Sequence, residues 1–84
     1  MSGPTDRALT VIETPQGEPH LFLWRGHRVK VREIIDDWEE EGCWWRDEEP
    51  RRVYRVLGHD GTLYELHRLT LSGWQMFREG IGTP

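Results

Sequence analysis

The chain has 84 residues, a net charge of -4, one cysteine and five tryptophans, which leaves room for one small core and excludes a two-domain protein. Charged residues make up 31% and the hydrophobic set 36%, the balance of a soluble folded domain rather than a disordered tail. The longest apolar run, Leu21-Phe22-Leu23-Trp24, falls far short of the roughly 20 residues a membrane-spanning helix needs.

Residues 1–8 are polar and hold Gly3 and Pro4, which predicts a flexible N-terminus without the apolar stretch of a secretory signal. Leu9 to Ile12 is a short β-prone run, closed by the turn-rich Thr14 to Pro19. Residues 20–32 read as a hairpin turning at Gly26. In its second arm Arg28, Lys30 and Arg32 alternate with Val29 and Val31, so one face is basic and the other apolar.

Residues 31–42 carry two signals. Val31, Ile34, Ile35 and Trp38 fall at helical spacing, and Gly42 would stop a helix. Glu39, Glu40 and Glu41 would then crowd a helix C-terminus, where the dipole disfavours negative charge. A strand running on through Ile35 is expected, with one helical turn near 33–41 as the alternative. Val53 to Leu57 and Thr62 to Arg68 flank an Asp60-Gly61 turn and predict a second hairpin. Thr70 to Gly73 turns into a last strand from Trp74 to Glu79, followed by a tail at 80–84. The expected fold is mainly β, a small antiparallel meander or barrel of about six short strands spanning residues 9–79.

The charge is uneven along the chain. Residues 39–50 hold six acids against Arg46, a net of -5, so the flanking segments together come to +1. Glu39 to Glu41 and Asp47 to Glu49 are read as solvated loop charges rather than a metal site. His20, His27, His59 and His67 are scattered, without the close pairing zinc favours, and are read as surface or turn histidines. Cys43 cannot form an internal disulfide and lies beside Trp44 and Trp45, which reads as a small buried thiol in a cytoplasmic protein. No nucleophile–base pair or metal set can be assembled. The chain is therefore expected to be a non-enzymatic protein, without cofactor or metal.

Two binding surfaces are expected instead. Trp38 and Trp74 sit among apolar neighbours and are assigned to the core. Adjacent Trp44 and Trp45 would point to opposite faces if extended, so one is expected outside as an anchor for a protein partner. With Glu39, Glu40 and Glu41 they form the first candidate patch. The second is the basic and aromatic stripe of Trp24, Arg25, Arg28, Lys30 and Arg32, which suits single-stranded nucleic acid.

Phe22 to Gly26, Ile34 to Trp38, Gly42-Cys43-Trp44-Trp45, Tyr54-Arg55-Val56, Tyr64-Glu65-Leu66 and Gly73-Trp74 follow one another in order. This pattern resembles a family of small uncharacterised bacterial proteins, and the C-terminal segment of ImuB, the inactive Y-family polymerase homologue of the bacterial mutasome. The resemblance covers about residues 20–79. It implies an accessory role in DNA repair or translesion synthesis, exercised through protein–protein contacts with a mutasome or repair component.

Overall fold

The computed structural model describes residues 8–80, apart from the side chain of Trp44. The flexible start and the tail expected from the sequence fall almost wholly outside these described residues.

Six strands follow one another: β1 (Thr10–Glu13), β2 (Pro19–Trp24), β3 (His27–Glu40), β4 (Arg51–Gly58), β5 (Leu63–Leu69) and β6 (Gly73–Glu79). Each pairs antiparallel with the next, so the order in the sheet is the order in the chain. The β2–β3 and β4–β5 hairpins use different turn chemistry. Between β2 and β3, Arg25 and Gly26 both take positive φ (52° and 81°), the two left-handed positions of a type I′ turn. Between β4 and β5 only Gly61 does, at φ 84°. Asp60 instead accepts the Thr62 amide at 3.0 Å and the Tyr64 hydroxyl at 3.2 Å.

Strand β3 forms the corner of the molecule. It pairs with β2 over its first four residues and with β4 from Val31 onward. Its register against β4 slips between Val31 and Glu33 and again between Ile34 and Asp36. Each slip is a bulge that adds one residue, bends the strand and resets which side chains face inward. The helical turn considered near 33–41 is therefore absent, and the strand continues through Glu40. The acidic end that argued against a helix is accommodated across the sheet, where Glu39 pairs with Arg52 and Glu40 with Arg51.

The sheet curls into a half-barrel. Its first and last strands meet where Ala8 bridges Gln75 and the Leu9 amide donates to the Trp74 carbonyl at 3.1 Å. The inner face buries Phe22, Val29, Tyr54, Val56, Tyr64, Leu66, Trp74 and Met76. Phe22 meets Tyr64 edge to face at 5.1 Å, and Leu9, Val11, Trp24, Val31 and Ile34 pack around the cluster.

Trp74 fills the core as expected, but Trp38 does not. Cross-strand pairing sets Trp38 in a row with Val53, His67 and Gln75 on the outer face, because the second bulge has turned β3 over by one residue. A smaller polar and aromatic cluster covers that row. Arg51 Nη1 lies 3.3 Å from His67 Nδ1, and His67 Nε2 lies 2.9 Å from Glu65. Arginine has no acceptor, so Nδ1 offers its lone pair and Nε2–H donates to Glu65. Phe77 stacks on the imidazole at 4.2 Å and Arg55 lies 5.4 Å from the Trp38 ring centre. His67 is buried on all sides although it belongs to the outer face.

Candidate interaction site at one mouth of the half-barrel

A half-barrel has two open ends. One carries the 14–18 turn, the 70–72 turn and the long β3–β4 connection at residues 41–50. This connection is irregular except for one 3-10 turn, Trp44–Arg46. Gly42 enters it at φ 76°, a conformation glycine adopts without strain. The Cys43 carbonyl then accepts the Arg46 amide at 2.8 Å and the Glu48 amide at 3.0 Å. Trp44 and Trp45 are therefore helical rather than extended, so the alternation expected of them does not apply. Trp45 is 68% exposed, and the Trp44 side chain lies outside the described residues.

The loop is strapped to the neighbouring β5–β6 turn. Glu49 accepts the amides of Leu71 and Ser72 at 2.7 and 3.0 Å, together with the Ser72 hydroxyl. Thr70 donates its amide and hydroxyl to the Pro50 carbonyl at 3.0 and 2.9 Å. The Ser72 hydroxyl, ahead of the two amides, holds the Glu49 carboxyl below its ordinary range. A carboxyl with a lowered pKa stabilises the fold above its unfolded pKa, and the stabilisation is lost as pH falls through the folded value. Glu49→Gln should accordingly melt earlier than the parent at neutral pH. The difference should close below the carboxylate range, which paired thermal melts at the two pH values would read.

Beside this loop a cavity of about 560 Å³ opens at the mouth, lined in part by Glu13, Glu39, Glu40, Glu41, Arg52 and Arg68. Its arginines are already engaged. Arg52 bonds Asp37 and lies 3.1 Å from Glu39. Arg68 donates to the Gly17 carbonyl at 2.9 Å and lies 5.6 Å from the Trp74 ring centre. Glu13 takes the Trp74 indole N–H at 2.7 Å, and Glu40 takes that of Trp38 at 3.0 Å. Glu39, Glu40 and Glu41 all border this cavity, beside the loop that bears Trp44 and Trp45, with the Glu40 carboxylate turned towards Trp38 on the outer face. Cys43 is half-buried, and burial followed by the neighbouring Glu48 carboxylate pushes its thiol above the ordinary value.

The opposite mouth carries the 25–26 and 59–61 turns and a second cavity of about 480 Å³. It gathers Trp24, Arg25 and Arg28 of the basic stripe. The stripe is otherwise divided. Arg28 and Lys30 pair with Leu23 and Leu21 on the outer face, and Arg32 stands exposed at the first bulge. Trp24 packs against the inner core and donates its indole N–H to Glu79. Among the described residues no group of three or more His, Cys, Asp or Glu could hold a metal ion, and no helix is long and apolar enough to cross a membrane.

Residues 5–79 match the family described as Domain of unknown function (DUF6504). The chain belongs to this family. The match spans all six strands, the 41–50 loop and both cavities. No curated protein and no solved structure matches the chain.

Sequence reasoning missed Arg52, Arg68 and Glu13 at the first mouth. All three face inward beside Trp74 or Asp37, and only the register of a curled sheet brings strands β1, β4 and β5 to one opening. It also missed Glu49 as the strap of the loop, since its partners lie more than twenty residues away.

Proposed function

We propose that this domain acts without chemistry of its own, as a cytoplasmic protein-interaction module in DNA damage tolerance. The contact surface is the mouth that carries Trp44, Trp45 and Glu39 to Glu41. One observation carries the reading: Trp45 is 68% exposed on a loop held at both ends, by Cys43 and by Glu49. A large aromatic on a fixed platform loses little freedom on binding and is a favoured anchor. The acids around it favour a partner surface that pairs an apolar pocket with basic residues. The raised thiol of Cys43 is the reverse of what a nucleophilic cysteine requires. The likeness to the C-terminal segment of ImuB supports the mutasome as the setting.

Calorimetric titration of purified mutasome proteins with the parent chain and with Trp45→Ala tests this. The variant should melt with the parent and bind at least about tenfold more weakly. Equal binding by the two chains would remove Trp45 from the interface.

A second reading, single-stranded nucleic-acid binding, is favoured by the meeting of Trp24, Arg25 and Arg28 at the other mouth. It requires quenching of tryptophan fluorescence by an oligonucleotide and a steep loss of affinity with salt. Arg28 and Lys30 would supply the phosphate contacts, since both are exposed.

A further inference from the structure

The second mouth has an imbalance of donors over acceptors. Two carboxylates line it, and both are engaged. Asp60 accepts the Thr62 amide and the Tyr64 hydroxyl, and Glu79 accepts the Trp24 indole N–H with Arg25 4.0 Å away. The donors are not spent to the same degree. The Lys30 amide donates to His59 Nδ1 at 3.1 Å, so a neutral His59 ring carries its proton on Nε2 and offers it as a donor. Arg28 and His27 also line the cavity, and neither side chain has a hydrogen bond or ion pair among the described residues. Arg25, 5.1 Å from the Trp24 ring centre, adds a second guanidinium at the rim.

We propose that this cavity binds a phosphate monoester group, held by the Arg28 guanidinium with His27 and His59 as further donors. A phosphate suits the site better than a carboxylate. It offers more acceptor oxygens to donors that approach from the start of β3 and from the 59–61 turn, and a guanidinium can hold two of those oxygens at once. The formal charges of Arg25 and Arg28 only balance those of Asp60 and Glu79, so affinity rests on directed hydrogen bonds more than on bulk charge. The cavity, at about 480 Å³, has the size of a small-ligand site. The site is at the opposite end from the partner surface and does not depend on it. It narrows the nucleic-acid reading from a strand along the sheet to a single phosphate at the mouth.

The test uses the full chain and nuclear magnetic resonance of the His27 and His59 rings and the Trp24 indole. The probes are inorganic phosphate, a 5′-mononucleotide, and one short oligonucleotide with and without a 5′-phosphate. Saturable shifts of these three groups by phosphate or mononucleotide are expected. Arg28→Gln should weaken binding about tenfold, the loss of one charge-assisted contact, and His59→Gln should weaken it less. Both residues are exposed, and an unchanged melting curve checks the fold. Preference for the phosphorylated oligonucleotide places the phosphate at a strand end, and mononucleotide binding without that preference places it on a free small molecule. Absence of saturable shifts up to about 10 mM, or shifts that saturate at the parental concentration in Arg28→Gln, overturns the proposal. An oligonucleotide that binds while leaving His27 and His59 unperturbed would also overturn it, yet would leave the strand-binding reading standing.

Discussion

Phe22→Ala should cost about 3–5 kcal/mol, enough to leave a large share of the chain unfolded, because a domain of this size has about 5–15 kcal/mol in total at most. Phe22 is fully buried, lies against the Tyr64 ring, and stands on β2, the strand that links β1 to the rest of the sheet. Its neighbours are held by backbone ladders on both sides, so they cannot collapse into the space the ring leaves. Urea unfolding followed by tryptophan fluorescence would measure the loss. Ile12→Ala provides the contrast. That side chain is 55% exposed on the outer face, and its truncation should change stability by no more than about 0.5 kcal/mol.

Gly42→Ala should be the most damaging change outside the core. A Cβ at this position would lie 2.6 Å from both the Glu48 and Glu49 carbonyl oxygens. These are backbone atoms that cannot turn aside like a side chain. The residue also has φ 76°, which by itself costs an alanine about 1 kcal/mol or more. The loop would have to open, withdrawing Glu49 from Ser72 and moving Trp45. We expect a destabilisation of about 1–3 kcal/mol, together with loss of the proposed partner binding, while far-ultraviolet circular dichroism keeps the β signature. Melting and binding measured on the same variant would show both effects. A Gly42→Ala chain with parental stability would mean that the loop can close another way.

The meander order was legible because its cues are local. Turn residues at Gly26 and Gly61 separate β-prone runs short enough to pair only with their neighbours. The β3 corner was not legible. Two inserted residues, Arg32 and Ile35, shift the inward set to Val31, Ile34 and Asp37, so a continuous strand carries a spacing of three that imitates a helix. The same shift placed Trp38 outside the core and aligned Glu39 with Arg52, an ion pair no periodicity reveals. His67 was read as a surface histidine and is buried, since its cover comes from Arg51, Glu65 and Phe77 on three strand segments. The acidic patch was recognisable from charge alone. The inward-facing arginines beside it and the strap that fixes the loop depend on contacts between distant segments.

The proposed partner contact rests on the 41–50 mouth. Titrating the isotope-labelled chain with purified mutasome proteins and following backbone and indole resonances tests this directly. The shifts should centre on Trp45, Glu39, Glu40 and Glu41, spare His27 and His59, and disappear in Trp45→Ala. Absence of shifts with every component, or shifts confined to the opposite mouth, would contradict it.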